Sequence, residues 1–259
     1  MLSVLYLPRA LHGLAGSTVV KRVEDHFEAR SGYWRWRTDG CASIEVSNSI
    51  AKLCTGPTEA LYYSNAEIAD GEFDELPWSR CRVEVRARLS GYHFGSAGWG
   101  LWNHSMVVDL SFPIWFIYLR ARGPYPLQGL FAQVGREFVP IKLFKSVSLY
   151  RAALSIAPWV APIRILSSRP RAQNLELTDW HVYAVEWDGS VARFWVDGEE
   201  VAVVKPRWVV NTRLRVDAWI DNAVFLPLRG DPGAVYRHQT QEVRARTCLE
   251  IDFVRVEGE

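Results

Sequence analysis

The segment from Trp180 to Val204, WHVYAVEWDGSVARFWVDGEEVAVV, constrains the fold more than any other part of the chain. Val182, Ala184 and Glu186 alternate with Tyr183, Val185 and Trp187. Successive side chains of a strand point to opposite faces, so this period of two predicts a half-buried strand. Asp188-Gly189 follows, a pair that tolerates the positive φ angles of a two-residue hairpin turn. Val191 to Val196 alternates again, and Asp197-Gly198 supplies a second turn before the last strand. β-Branched and aromatic side chains dominate, as a pleated surface favours. The two glycines and the two-residue period both oppose a helix. The segment is read as a three-stranded antiparallel meander.

The rest of the chain carries similar material. Arg80 to Leu89 is expected to be a strand with Val83, Val85, Ala87 and Leu89 inward and Arg82, Glu84, Arg86 and Arg88 in water. Met106 to Leu119 is almost wholly apolar and is split by Pro113, which predicts strands buried on both faces or lining an apolar cleft. Leu127 to Val134 and Glu137 to Ile141 read as a hairpin around Gly135, and Arg213 to Ile220 and Thr247 to Val256 as further strands. One stretch differs. Leu143, Val147, Tyr150 and Leu154 recur at helical spacing, which predicts a helical insertion near 142–157, ended by Pro158. It is expected either to pack as a surface helix on the sheets or to cover a cleft as a lid. No repeat or linker divides the chain, so residues 1–22 are expected to be an arm or first strand and 23–259 a single domain.

Composition excludes some functions. With 30 basic and 29 acidic side chains the net charge is +1, unlike the clustered basic excess of a nucleic-acid-binding surface. No apolar run reaches the length of a membrane span. Four cysteines without CxxC spacing argue against zinc; their even number permits disulfides without requiring them. The first residues lack a basic n-region and are interrupted by Pro8 and Arg9, so they read as an arm or strand rather than a signal peptide, which favours the cytoplasm. The 12 tryptophans can fill a core, stack on sugar rings or line apolar pockets.

Several segments resemble the laminarinase-like glycoside hydrolases of family 16. Trp180-His181-Val182-Tyr183-Ala184-Val185-Glu186-Trp187 and Phe194-Trp195-Val196-Asp197-Gly198 are similar to that family's aromatic-His-x-Tyr-x-x-Glu-Trp strand and the Val-Asp-Gly after it. Cys81 to Leu89 followed by Gly98-Trp99-Gly100-Leu101-Trp102 is similar to its strand and Trp-Pro-Ala-x-Trp segment, and Glu250 to Val256 to its closing strand. The matches run in family order over residues 23–257. The resemblance implies an all-β fold, a concanavalin A-like jelly-roll sandwich of two antiparallel sheets. It also implies a structural calcium between the opening segment and the last strand, for which Glu24, Asp25 and Asp252 are the candidate ligands; no other cofactor is implied.

The family's catalytic motif is missing. Its members carry Glu-x-Asp-x-Glu or Glu-x-Asp-x-x-Glu on one strand, a nucleophile and an acid/base roughly 5–5.5 Å apart in retaining hydrolysis. The corresponding strand here is Ile114-Trp115-Phe116-Ile117-Tyr118-Leu119-Arg120-Ala121-Arg122-Gly123. Aligning Gly123 with the family's glycine puts Phe116, Tyr118 and Arg120 in the catalytic places, and a slip of one residue puts Trp115, Ile117 and Leu119 there. Neither register holds a carboxylate. Asp109 would supply only one. Asp217 and Asp221 share a face but stand about 13 Å apart along an extended strand.

The candidate site therefore comprises Trp99, Trp102, Trp115 and Trp219 for stacking, Tyr118 and Arg120 for oriented hydrogen bonds, and His93, His104 and Asp109 as further polar groups. Three functions are compatible with it. The first is a carbohydrate-binding protein that has lost hydrolysis, its ligand held in an aromatic cleft. The second is an enzyme, either repurposed for an apolar or glycosylated small molecule or hydrolytic through displaced carboxylates. The third is a scaffold whose cleft is filled by its own aromatics.

Overall fold

The computed structural model describes residues 3–7 (backbone only), 20–57, 63–71, 75–103, 112–121, 127–156, 163–209, 213–223 and 244–259. Seventeen strands and one helix lie among them. In chain order they are β1 (Ser3–Leu7), β2 (Val20–Asp25), β3 (Arg35–Asp39), β4 (Ser43–Ser47), β5 (Ile50–Thr55), β6 (Asn65–Ala69), β7 (Cys81–Leu89), β8 (Gly95–Trp102) and β9 (Ile114–Arg120). They continue with β10 (Gly129–Val134), β11 (Glu137–Leu143), α1 (Ser148–Ile156), β12 (Arg164–Ile165), β13 (His181–Trp187), β14 (Ala192–Val196), β15 (Glu199–Val204), β16 (Arg215–Asp221) and β17 (Thr247–Gly258).

The strands form two stacked sheets. One runs β1-β2-β17-β7-β13-β14-β15, with β5 also pairing β17 and β4 pairing β5. The other runs β12-β11-β10-β9-β8-β16-β6-β3. All pairings between these strands are antiparallel except β11 with β12, a short parallel addition at the edge. This is the all-β jelly-roll sandwich, and β1 joins it as the edge strand beside β2.

The period of two decides which side chains meet between the sheets. β7 buries Val83, Val85, Ala87 and Leu89 and leaves the intervening residues half-buried, as its alternation predicts. Tyr183, Val185 and Trp187 of β13 and Phe194 of β14 face Ala97, Trp99 and Leu101 of β8 and Ile114, Phe116 and Tyr118 of β9 in one continuous core.

The meander forms with one change to its turns. Asp197 and Gly198, at φ 51° and 84°, make the two-residue turn. The first connection is longer, because Asp188 Oδ1 accepts from the Ser190 and Val191 amides and so caps a wider loop. The helix is also shorter than its spacing predicts. Lys142 and Leu143 continue β11, and α1 begins only at Ser148. Cys54 and Cys248 stand opposite each other on β5 and β17 and form a disulfide, while Cys41 and Cys81 are free.

The candidate calcium ligands are each engaged by protein partners. Asp25 accepts from the Phe27 amide and the Trp34 indole, which organises the turn after β2. Glu24 binds Arg255, His26 and Arg22, and the Arg255 bond holds its carboxyl down at about 2. Asp252 binds Arg86 at 2.5 Å. Among the described residues no group of three His, Cys, Asp or Glu side chains is placed to hold a metal.

Candidate functional site

The face of the eight-stranded sheet turned away from its partner sheet holds the unusual chemistry. On β16, Val216, Ala218 and Ile220 point into the core, so Arg215, Asp217, Trp219 and Asp221 point outward. On β8 the same alternation sends Trp99 inward and Trp102 outward. On β9 it sends Ile114, Phe116 and Tyr118 inward and Trp115, Ile117 and Leu119 outward. The outward register of β9 is thus the one shifted by one residue from the glycine alignment.

Three indoles meet on this face. Trp115 packs on Trp219 at 4.2 Å between ring centroids and on Trp102 at 5.3 Å. The glycines of the Gly98-Trp99-Gly100 segment make room for them. A Cβ on Gly98 would lie 2.2 Å from the Trp219 ring, and one on Gly100 would lie 2.6 Å from the Trp115 Cα. Toward β10 and β11 the indoles continue into Ile117, Leu119, Phe131 and Phe138, against which α1 places Leu154. Trp115 and Trp219 are each only 7% exposed, whereas Trp102 is half-buried.

Toward β6 and β3 the same face becomes charged. Arg215 Nη2 lies 3.3 Å from Asp217 Oδ2 and 3.6 Å from Glu67 Oε1. Arg35 binds Glu67 at 2.9 Å, and the Arg215 guanidinium lies 5.8 Å from the Trp102 ring centre. Arg215 is 0% and Asp217 1% exposed. Burial, together with the nearby Glu67 charge, pushes the Asp217 carboxyl well above the usual carboxylate range, against the pull of Arg215. Several polar atoms here are orphaned: among the described residues, Arg215 Nε and Nη1, Asp217 Oδ1 and Asn65 Oδ1 have no hydrogen-bond partner. Native interiors rarely leave such groups unpaired, and each exception calls for an explanation.

The sequence-based candidates fare unequally. Trp102, Trp115 and Trp219 come together. Trp99 does not join them; it is 2% exposed and packs between the sheets on Tyr183 at 4.7 Å. Tyr118 also faces inward, its hydroxyl donating to the His93 carbonyl at 2.6 Å, and burial pushes its phenol up to about 12. His93 is buried and structural. Its Nε2 lies 2.7 Å from the Asp221 carbonyl and 3.2 Å from that of Ser96, so this nitrogen carries the proton. Nδ1 then accepts from Thr247 at 2.6 Å, and burial lowers the imidazole to about 4. Arg120 ends β9 at the rim, among the rings of Tyr92, Phe94 and Phe144. Asp109 and His104 lie outside the described residues.

Arg35, Glu67 and Arg215 escaped the sequence reading. The alternation of Arg215, Asp217, Trp219 and Asp221 was a usable signal for β16. That β6 would lie beside it, with Glu67 opposite Trp219, required the pairing itself.

No family model matches the sequence, and no curated protein matches it. Solved structures do. A laminarinase from Flavobacterium sp. is 14% identical, with 90% of this chain and 97% of that one covered and a TM-score of 0.54. An endo-1,3-β-glucanase from Streptomyces sioyaensis is 15% identical over 95% and 98% of the two chains, with a TM-score of 0.55. A non-specific endo-β-1,3(4)-glucanase of glycoside hydrolase family 16 is 13% identical over 97% and 94%, with a TM-score of 0.55. At such identities the likeness is one of fold. The chain has the β-jelly-roll fold of the family 16 glycoside hydrolases.

Proposed function

We propose that this protein binds glycans on the outer face of its eight-stranded sheet and does not hydrolyse them through the strand that its structural neighbours' family uses. The observation that carries the reading is the register of β9. It turns Trp115, Ile117 and Leu119, not carboxylates, to the face where Trp102, Trp115 and Trp219 gather. Aromatic faces suit the C–H surfaces of sugars, and the orphaned atoms of Arg215, Asp217 and Asn65 suit their hydroxyls. The solved structures of like fold include laminarinases and glucanases, which supports carbohydrate as the ligand class. Trp102, the partly exposed indole, is the one a sugar reaches first.

The test pairs binding with turnover on β-glucans, galactans and xyloglucan. Tryptophan fluorescence is expected to change on binding without release of reducing ends. Trp102→Ala is expected to weaken binding about tenfold, the equivalent of about 1.4 kcal/mol. Binding to none of these glycans refutes the proposal.

One observation favours a second reading, hydrolysis by displaced carboxylates. Glu67 and Asp217 both lie within ion-pair distance of Arg215 Nη2. That confines the two carboxyl oxygens to less than about 7 Å, a ceiling that admits the roughly 5–5.5 Å separation of retaining glycosidases. Release of reducing ends that disappears in Asp217→Asn and Glu67→Gln would select this reading over the first.

A further inference from the structure

The rim where β9 ends carries a second, separate set of groups. Arg120 is the last residue of β9. Its guanidinium carbon lies 4.7 Å from the ring centre of Phe94, 4.9 Å from that of Tyr92 and 5.3 Å from that of Phe144. Tyr92 and Phe94 come from the loop between β7 and β8, and Phe144 follows β11.

Three aromatic faces attract a cation but accept little from its N–H groups, whose fork matches an oxyanion. Nη1 of Arg120 is buried and has no hydrogen-bond acceptor among the described residues. Arg120 forms no ion pair among them either. The neighbouring Tyr118 hydroxyl donates to the His93 carbonyl, and its oxygen takes a hydrogen bond from the Arg120 guanidinium that leaves Nη1 free. Arg215, by contrast, already sits between Glu67 and Asp217, so its charge is compensated. Beside Arg120 the rings remain open to solvent: Tyr92 is 76% exposed and Phe144 37%.

We propose that this rim receives the anionic substituent of a glycan, a carboxylate or a sulfate ester, on the Arg120 fork while the attached sugar ring lies on Tyr92. The inference rests on the carbohydrate reading above and adds the charge of the ligand to it. A planar fork with unused donors binds carboxylate and sulfate oxygens two at a time, which a lysine ammonium does not. The aromatic wall strengthens the interaction by limiting water around the pair.

Titration calorimetry at 50 and 300 mM NaCl tests this with three probes of equal length. They are a neutral β-1,3-glucan hexasaccharide, an oligogalacturonate hexasaccharide and a sulfated galactan hexasaccharide. At least one charged probe is expected to bind tenfold or more tighter than the neutral one, with the advantage shrinking at high salt. Which charged probe wins distinguishes carboxylate from sulfate. Arg120→Gln is expected to abolish the advantage and leave the neutral probe's affinity unchanged. Arg120→Lys should restore only part of it, and Arg171→Gln, at an exposed charge elsewhere, should leave the advantage intact. Tyr92→Ala, which alters an exposed side chain, should weaken the charged probe while keeping its salt dependence. Circular dichroism confirms folding of each variant.

Equal affinity for neutral and charged probes overturns this inference and leaves the carbohydrate reading standing. So does an advantage that survives Arg120→Gln or falls equally in Arg171→Gln. Binding to none of the three probes overturns both.

Discussion

Trp99 and Trp102 are three residues apart, yet they have opposite fates. Trp99 points between the sheets against Tyr183 and Phe116, while Trp102 points outward against Trp115. Trp99→Ala is expected to cost about 3–5 kcal/mol in urea unfolding, as large-to-small core substitutions do. Glycan affinity of the folded variant should be unchanged; a loss of affinity equal to that of Trp102→Ala would return Trp99 to the site. Asp221 gives a second residue-scale expectation. Its Oδ1 accepts from the Ser96 hydroxyl at 2.8 Å and the Ala223 amide at 2.9 Å, and burial pushes its carboxyl up to about 7. The folded protein therefore keeps a proton that the unfolded chain releases near pH 4. Stability contributed by this group is full below about pH 4 and is lost as pH rises toward 7, by about 4 kcal/mol in all. In Asp221→Asn, which keeps the Oδ1 acceptor, unfolding free energy should fall less steeply between pH 4 and 7 than in the wild type. Identical slopes would mean that Asp221 is ionised throughout.

At the scale of the element, β9 and α1 belong together. β9 turns an apolar stripe outward, a stripe that water would solvate poorly, and α1 covers part of it through Leu154. The helix is nine residues long, and its Leu149 and Ile156 stay exposed, so besides Leu154 it is held by the half-buried Tyr150 on the same cluster and by Arg151 Nε donating to the Ile165 carbonyl at 3.0 Å. Leu154→Ala is expected to cost about 2 kcal/mol, and the loss should be local. Amide exchange over 148–156 should accelerate, with protection in β7 and β17 retained. Loss of protection across both sheets would show instead that α1 is part of the cooperative core.

Across the whole molecule, the Cys54–Cys248 disulfide joins β5 to the closing strand β17, residues 194 positions apart in sequence. A cross-link over so long a loop restricts the unfolded chain most. Replacing both cysteines by serine is expected to destabilise the fold by about 2–5 kcal/mol. In a protein of this size that lowers Tm by roughly 5–15 °C, measurable by calorimetry with and without reductant. An unchanged Tm would show that the two thiols are not bonded in solution. Disulfides persist in oxidising surroundings, which pulls against the cytoplasmic expectation drawn from the first residues.

Local periodicity and turn chemistry were enough to read the strands, while the sandwich was implied only by the resemblance to the family 16 hydrolases. The alternation in β7 and β13, the Asp197-Gly198 turn and the closing strand are short-range features, and each strand's inward set follows from a period of two. The same period explains what stayed hidden. On β9 both registers are apolar, so polarity does not tell the inward face from the outward one, and only the packing of Phe116 and Tyr118 against the opposite sheet decides it. Partner strands were equally illegible. Glu67 reaches Arg215 because β6 lies beside β16, and Cys54 meets Cys248 because β5 lies beside β17. Such pairings depend on non-local burial of the whole sheet, which no window of sequence contains. The sheet-forming stretches could therefore be read along the chain. The orientation of β9, the charged set around Arg215 and the aromatic surroundings of Arg120 exist only once distant strands have packed.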